Sequence, residues 1–403
     1  MIGSLQTRTK GDKVIWAIVV VLTMMSLLVV YSSTGTLAYK LSKSTESYLF
    51  KQFVFIAIGL IIIYFAHKVN YTIYSRVAVF IFLASIPLLL YTLLFGTSLN
   101  EANRWIKLPI INLTFQTSDL AKLGLFMYLG RQLSKRQAVI KDFKKGFLPL
   151  IIPVAIICIL IAPANLSTAL LVGATSLLLM FIGRVDLKHI GLVVVAALIP
   201  VMILVGVAAA YYDKEEKHSK ELPAIMQKGR IGTWVKRVQG FMYAGKDETA
   251  YQVQQAKIAI AKGSWMGLGP GNSESRNFLP HPYSDFIYAI IIEEYGLMGG
   301  VFVLFIYLAF LFRCIRIFKK CPYAFGAFLA LGLSFTLVIQ AMANMAVNVN
   351  LFPVTGVTLP LVSMGGSSFL FTCLAIGIIL SVARNVEQSE QPVVIPEEEV
   401  EEA

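Results

Sequence analysis

The chain has 403 residues, of which 57% are apolar, with a mean hydropathy of +0.72 and a formal net charge of +12. A soluble globular chain typically has about 45 to 50% apolar residues, so this composition excludes a water-soluble domain and predicts an integral membrane protein. The basic excess does not indicate nucleic acid, because no soluble domain is present to carry it. An anionic lipid surface is the partner that it favours.

Apolar windows recur along nearly the whole chain at the length that a helix needs to cross a bilayer core of about 30 Å. They predict an all-α polytopic membrane protein with ten spans. The predicted spans are 14–32, 49–66, 77–95, 117–130, 147–162, 166–183, 190–211, 286–312, 323–343 and 361–383. The first span is too long for the apolar part of a cleaved signal peptide, which predicts a retained signal anchor.

Lys and Arg are unevenly distributed between the two sets of short loops, and one set contains the run RQLSKRQAVIKDFKK. Because cytoplasmic loops are enriched in basic residues, this set is predicted to lie inside, with both termini cytoplasmic. The predicted regions are a cytoplasmic N-terminus over 1–13, a membrane domain over 14–384, a large outer loop over 212–285 between spans seven and eight, and an acidic, disordered tail over 385–403.

One segment of the predicted outer loop, 251–263, has a helical pattern. Tyr251, Ile258 and Ala259 recur at helical spacing, which predicts an amphipathic helix at the membrane interface.

In this orientation, every unusual polar segment of the membrane domain falls on the outer side. If polar segments were distributed at random over the bundle, they would not all lie at the outer leaflet. The pattern therefore predicts a functional site on the outer side. The segments are EANRWIKLP (101–109), QTSDLAK (116–122), PANLSTA (163–169), GSWMGLGPGNSESRNFLPHPYSD (263–285) and NVNLFPVTGVTLPLVSMGGSS (348–368).

Asp285 lies where a proline-containing loop meets the eighth apolar run, in the segment LPHPYSDFIYAIIIEEYG. Two interpretations of this aspartate stay open. Its side chain is well placed to cap the helix that follows. A partly desolvated carboxylate at this depth also suits a general base.

Charged and glycine-rich residues at the other outer segments carry similar alternatives. Arg104 and Lys107 are either interfacial cations or ligands. Asp119 and Lys122 are three residues apart and can pair, although a charge inside an apolar span often marks function. The segment VTGVTLPLVSMGGSS predicts either close helix packing by small residues or a phosphate site at a helix N-terminus.

The segments NRWI, QTSDLAK, YQVQQAKIAIAKG, GLGPGNS, LPHPYSDFIYAIIIEEYG and FPVTGVTLPLVSMGGSS, in this order, resemble the SEDS family (shape, elongation, division and sporulation), which comprises FtsW, RodA and SpoVE. The resemblance covers about residues 14–384 and leans toward the division branch, FtsW. It implies a glycosyltransferase that polymerises the peptidoglycan precursor lipid II, an undecaprenyl-diphosphate disaccharide peptide. The expected place is the outer face of the bacterial inner membrane, at the division septum.

The resemblance also assigns roles to residues of this chain. Asp285 matches the essential aspartate of the family, and Asp119 with Lys122 matches its acid–lysine pair. Arg104 and Trp105 match its Arg-Trp motif. Its glycine–serine motif falls on Ser363, Gly365, Gly366, Ser367 and Ser368. Substrate or diphosphate binding is expected for this motif together with Arg104, Asp119 and Lys122. Supporting roles are expected for Trp105, Gln255, Asn272, His281, Tyr283, Pro353 and Pro360.

The implied partners are a cognate class B penicillin-binding protein and other proteins of the division machinery. The implied cofactor is a divalent cation, Mg²⁺ or Mn²⁺, with Asp285 as its one candidate ligand, since the sequence shows no metal-binding cluster.

The chain departs from the family pattern at several positions. Asn165 and Ser167 stand in a turn where an acidic residue is common, and Met364 replaces a common tyrosine. Alternatives to a division polymerase are an elongation role, a transporter that flips lipid II, and a scaffold. A flippase needs polar groups reachable from both leaflets, so the one-sided polar distribution argues against it.

Overall fold

The computed structural model describes residues 11–35, 37, 44–99, 102–107, 114–213, 218–219, 223, 230–243 and 248–390. At 97–99, 102–104, 107, 213, 218–219, 248–250 and 389–390 it describes the backbone alone. The long helices are α1 (Lys13–Ser33), α2 (Thr45–Lys68), α3 (Tyr71–Phe95), α4 (Thr117–Lys135), α5 (Leu148–Ile161), α6 (Leu166–Ile182), α7 (Leu187–Ala210), α8 (Ile231–Tyr243), α9 (Glu248–Gly263), α10 (Ile287–Lys320), α11 (Ala324–Asn348) and α12 (Ser367–Glu390).

A helix occupies each of the ten predicted spans. In the described part of the chain, eight helices are long and apolar enough to cross a membrane, if the π-helical turn Phe143–Phe147 is counted with α5. The exceptions are α6, which is apolar but shorter, and α4, which carries Asp119 and Lys122. The structure is therefore that of a polytopic helical membrane protein, and ten crossings stay a prediction for α4 and α6.

Polar side chains fix where several apolar helices begin. Asp12, Asn70 and Asp186 accept backbone N–H groups at the starts of α1, α3 and α7. Ser44 and Asn165 do the same for α2 and α6. Because the first N–H groups of a helix have no partner within it, each such cap stabilises the helix by about 1 kcal/mol.

The centre of the bundle contains α11 and α12, whereas α7 lies at its edge. In the apolar windows of α11 and α12, 72% of the residues are buried, compared with none in that of α7. Ala208 is the one buried residue of α7. Other segments of the chain therefore pack against α11 and α12. The apolar side chains of α7, in contrast, are left to face lipid.

The start of α1 lies beside the ends of α10 and α12. The Gly11 backbone N–H donates to Glu387 Oε2 at 2.8 Å, and Arg313 pairs with Asp12 at 2.6 Å. Gly11 and Glu387 therefore lie on the same side of the bundle, and the cytoplasmic placement of both termini stays a prediction. The helix α12 continues to Glu390, so 385–390, which were expected to belong to a disordered tail, are helical. Residues 1–10 and 391–403 lie outside the described residues.

Several span boundaries predicted from hydropathy are wrong by five residues or more. The helix α10 continues past 312 to Lys320, and α12 begins at Ser367 rather than near 361. Residues 351–366 are irregular, and Leu361 has a left-handed φ of +63°. Leu359 and Val362 are nevertheless fully buried, so apolar character is present here without a helix.

The helix α10 is kinked at Gly296, where φ is +70°. The loop before α10 runs alongside the kink and supplies hydrogen bonds. The Leu268 N–H donates to the Glu293 carbonyl and the Leu297 N–H to the Ser264 carbonyl, both at 2.9 Å. The buried Glu293 carboxylate accepts from the Ser275 N–H and hydroxyl, so this acid holds the loop against α10.

A small antiparallel sheet, absent from the sequence-based prediction, joins α3 to α4. It contains β1 (Thr97–Leu99), β2 (Ala102–Lys107) and β3 (Thr114–Gln116), with β2 between the other two. Trp105 lies opposite Thr97 on one side and Gln116 on the other. The sheet therefore fixes the position of Trp105 relative to the start of α4.

The amphipathic helix predicted over 251–263 is present as α9, and of the three residues that indicated it only Ala259 is buried. Val253, Ala256 and Ala259 are buried, whereas Tyr251 and Ile258 are exposed. The buried side of α9 packs against α10.

The kink gives a test of the fold. In Gly296→Ala the new Cβ would lie 2.1 Å from the Trp265 carbonyl oxygen at a positive φ, so we expect destabilisation by roughly 2 kcal/mol or more. Thermal unfolding of the purified protein in one detergent measures it. The control is Gly191→Ala in α7, which meets nothing within 4 Å. Equal unfolding temperatures for both variants would show that the kink is not required.

Candidate active site

A cavity of about 610 Å³ lies at the end of the bundle where α10 begins, opposite the paired chain termini. This volume is in the range of small-molecule sites. The predicted site residues that line it are Trp105, His281, Tyr283, Asp285, Gly365, Gly366 and Ser368. Segments that are far apart in sequence therefore meet here, as the one-sided polar pattern predicted.

Asp285 does not cap α10, so the capping interpretation is wrong. The N-cap residue of α10 is Phe286, which makes no side-chain capping bond. The Asp285 carboxylate instead accepts from the Ser284 hydroxyl at 2.7 Å. The carboxylate is half-buried and lines the cavity.

The Asp285 backbone is held from the core by two asparagines of α11. Asn344 and Asn348 donate their side-chain N–H groups to the Asp285 carbonyl at 2.9 and 3.0 Å. The Asn348 side chain also accepts from the Ala289 N–H at 3.0 Å. Sequence reasoning missed these residues, although two asparagines four apart in the apolar run AMANMAVN place two amides on one helix face.

Ser363 lies beneath this loop rather than in the cavity. It is buried, and its hydroxyl donates to the Ser284 carbonyl at 2.7 Å. The next residue, Met364, donates its backbone N–H to the Tyr283 carbonyl at 3.0 Å. The segment before α12 therefore forms direct hydrogen bonds to the backbone carbonyls of residues 283–284.

The glycine–serine segment forms one wall of the cavity at the start of α12. Gly365, Gly366 and Ser368 line it, and Gly366 has a φ of +51°, which favours glycine. Ser367 is buried and accepts from the Gln116 backbone N–H at 3.2 Å. Strand β3 is thereby joined to α12.

Asp119 and Lys122 lie in a neighbouring pocket of about 50 Å³. Their charges pair at 2.7 Å, and the Lys122 ammonium also donates to Gln340 at 3.2 Å. Lys122 does not line the larger cavity, although Gln116 and Thr358 line both. The charge of the Lys122 ammonium is thus already paired with that of Asp119. This ion pair lies beside the larger cavity and outside its lining.

His281 and Tyr283 are adjacent at the cavity edge. His281 Nδ1 lies 3.3 Å from the Tyr283 hydroxyl. Burial raises the pKa of Tyr283, and the nearby Asp285 carboxylate raises it further. Tyr283 is therefore a neutral hydroxyl donor beside Asp285 at physiological pH.

Four of the remaining predicted residues are outside the cavity lining that the described residues form. Gln255 is on α9, where Gln252 lines the cavity instead. Asn272 is exposed and bonds the Leu268 carbonyl. The Pro360 carbonyl accepts from the Tyr307 hydroxyl within the core, and Pro353 lies outside the lining. The side chain of Arg104 lies outside the described residues.

Two arginines that sequence reasoning did not select line the cavity. Arg230 and Arg237 are seven residues apart on and just before α8. Seven residues are about two helical turns, so this spacing in GRIGTWVKR could have indicated a shared face. Burial lowers the pKa of Arg237, as does Arg230, while Asp285 opposes that shift.

The donor set of the cavity does not fit a resident divalent cation. In the part of the chain that the structure describes, no three His, Cys, Asp or Glu side chains are grouped to hold a metal. Asp285 is the single carboxylate among the described lining residues, and it shares the cavity with arginines. A cation at Asp285 therefore stays a prediction from the resemblance and would need oxygen ligands from the substrate.

Known proteins are similar to this chain in sequence and in fold. The chain matches the family described as Cell cycle protein (FTSW_RODA_SPOVE) over residues 12–388. The "Probable peptidoglycan glycosyltransferase FtsW" of Geobacter sp. (strain M18) is 30% identical over 384 residues, 93% of this chain and 98% of that protein. "Stage V sporulation protein E" of Bacillus subtilis (strain 168) is 30% identical over 387 residues, 94% and 98% of the two chains.

Solved structures agree on the fold. One chain of a peptidoglycan synthase complex that coordinates polymerization and crosslinking has a TM-score of 0.72 at 24% identity, covering 94% of this chain and 99% of that one. The rod shape determining protein RodA of Thermus thermophilus has a TM-score of 0.64 at 21% identity, covering 93% and 97%. Fold and cavity define a polytopic helical membrane protein with a polar site at one end of its helix bundle. The chain belongs to the FtsW/RodA/SpoVE family, which confirms the resemblance.

The charge pair beside the cavity can be tested by stability. Lys122→Met leaves the buried Asp119 carboxylate unpaired, which typically costs about 3 to 5 kcal/mol, so we expect a lower unfolding temperature. Adding Asp119→Asn to that variant should restore much of the loss, because no charge is then left alone. Thermal unfolding of the wild type, both single variants and the double variant measures the coupling. Simple additivity of the single effects would show that the two side chains act independently.

Proposed function

We propose that the protein is a peptidoglycan glycosyltransferase that polymerises lipid II at the outer face of the bacterial inner membrane. The observation that carries the proposal is the position of Asp285, the single carboxylate among the described residues that line the large cavity. The names of the FtsW relatives, which are about 30% identical over most of the chain, support the same activity.

In this mechanism the Asp285 carboxylate takes the proton from the 4-hydroxyl of the acceptor N-acetylglucosamine. The oxygen then attacks the anomeric carbon of the donor N-acetylmuramic acid, and the bond to the undecaprenyl diphosphate breaks. The diphosphate leaves as an anion, so it needs no proton from a second carboxylate. Glycosidases, in contrast, use two carboxyl groups because their leaving alcohol must be protonated.

The surroundings of Asp285 suit this role. The Ser284 hydroxyl orients one carboxylate oxygen, and the bonds from Asn344 and Asn348 fix the backbone. A general base must be held within hydrogen-bond reach of the proton that it abstracts, and its loss typically lowers the rate by about 10²- to 10⁴-fold. Trp105 and Tyr283 offer ring surfaces in the same cavity for sugar rings.

The cellular role and the partners are also proposals. We infer septal wall synthesis in cell division, because several similar relatives are named FtsW. Stage V sporulation protein E is equally similar in identity, so identity alone does not separate these roles. We propose a cognate class B penicillin-binding protein as partner, and the similarity to a chain of a peptidoglycan synthase complex supports it. Other division proteins are proposed from the family resemblance alone.

Asp285→Asn tests the base directly. It keeps the side-chain size and the backbone bonds but cannot accept the proton, so we expect folded protein whose polymerisation rate falls by about 10²-fold or more. The assay measures glycan strands from labelled lipid II, with the partner protein present and its transpeptidase site inactivated.

Glu274→Gln is the matched control, because it neutralises an exposed carboxylate of the same loop. It should leave the rate unchanged. Equal glycan from the wild type and Asp285→Asn would remove Asp285 from the chemistry. No glycan from the wild type, with lipid II instead moved across vesicle membranes, would establish a transporter in place of a polymerase.

A further inference from the structure

The cavity that contains Asp285 has an excess of positive charge. Lys51, Arg230 and Arg237 line it, compared with one carboxylate among the described lining residues. A cavity of this kind attracts an anion, because its walls exclude water and strengthen the field of the fixed charges. The neutral part of a sugar substrate does not need such a field, so the cations require a separate explanation.

The two arginines come from one face of α8. The Trp234 N–H donates to the Arg230 carbonyl at 3.0 Å, so Arg230 already belongs to the first helical turn. Thr233 lies between the arginines and also lines the cavity. The adjacent Lys236, in contrast, is exposed. The helix therefore separates its basic residues into a cavity face and a solvent face.

Hydrogen bonds to the membrane bundle fix the position of this face. The Gln239 side chain donates to the carbonyls of Ala208 and Tyr211 at the end of α7, at 2.9 and 3.0 Å. The Arg230 guanidinium donates to the Ala164 carbonyl in the turn between α5 and α6, at 3.0 Å. These contacts hold α8 over the cavity and leave the Arg237 guanidinium with no hydrogen bond to the described part of the chain.

Burial lowers the pKa of Arg237, the neighbouring Arg230 cation lowers it further, and the Asp285 carboxylate opposes part of the shift. Arg237 loses water and is repelled by Arg230, and the Asp285 carboxylate offsets only part of this, so an anionic ligand beside Arg237 would stabilise its charge. Arginine binds phosphate oxygens with a planar pair of N–H groups, and such charge-assisted bonds are among the stronger ones in proteins. Lys122, which the sequence suggested for this task, is already paired with Asp119 in the adjoining pocket.

We propose that Arg230 and Arg237 form the binding site for the diphosphate of the lipid-linked sugar donor, on α8 and across the cavity from the start of α12. The inference rests on the proposed function, since it assigns a place to the leaving group of that reaction. In this arrangement the arginines stabilise the negative charge that develops on the diphosphate as the glycosidic bond breaks. Asp285 then faces the acceptor hydroxyl rather than the phosphates.

Equilibrium binding of labelled undecaprenyl diphosphate to the full chain in lipid nanodiscs tests the proposal without requiring turnover. Undecaprenyl monophosphate serves as the comparison ligand. We expect Arg237→Gln to bind the diphosphate roughly 10- to 100-fold more weakly, the usual effect of losing hydrogen bonds to a charged group. The loss for the monophosphate should be smaller. Arg237→Lys, which keeps the charge but not the planar pair, should lie between the two.

Lys236→Gln is the matched control, because it removes a charge from the solvent face of the same helix, and it should bind as the wild type does. Unchanged unfolding temperatures confirm that each variant is folded. Wild-type affinity in Arg237→Gln, or an equal loss in Lys236→Gln, would overturn the proposal. If the wild type binds the diphosphate through Arg237 but forms no glycan, the binding site stands and the proposed polymerase function fails.

Discussion

The carbonyl oxygen of Asp285 accepts two side-chain amide hydrogen bonds, and the whole candidate site depends on them. Asn344 and Asn348 donate these bonds from α11, one of the two most buried helices. An unpaired amide in an apolar core costs free energy, so the two asparagines and the loop fix one another. Asp285, the proposed base, belongs to an irregular loop, but these hydrogen bonds attach its backbone to the buried centre of the bundle.

Charge is divided between two neighbouring spaces. In the smaller pocket, Asp119 neutralises Lys122, and Gln340 continues the network to the Thr358 carbonyl. In the larger cavity, arginines from α8 face a single described carboxylate. A paired lysine supports the walls, whereas Arg237, which makes no hydrogen bond to the described part of the chain, is available to an anionic ligand. Because Lys122 is paired outside the cavity and the arginines line it, only the arginines are positioned to contact a substrate in the cavity.

Much of the fold followed from the sequence, because apolar runs of membrane length have few alternatives to helices. Asp285 was found because an ionisable group at the start of an apolar run is unusual. Besides Asn344 and Asn348, three features were not found. The β1–β3 sheet is too short to produce a pattern, and the buried irregular segment before α12 has the hydropathy of a helix. Arg230 and Arg237 looked like ordinary basic residues of an outer loop, and only tertiary packing of α8 turns them inward.

The most direct measurement is the cryo-electron microscopy structure of the full-length Asp285→Asn variant with lipid II, in lipid nanodiscs. The variant should hold the substrate without turning it over. Diphosphate density within hydrogen-bond distance of Arg237, with a sugar hydroxyl facing residue 285, is the expected result. Diphosphate density beside Lys122 in the smaller pocket, or substrate bound away from residue 285, would contradict the central claim that this cavity is the active site.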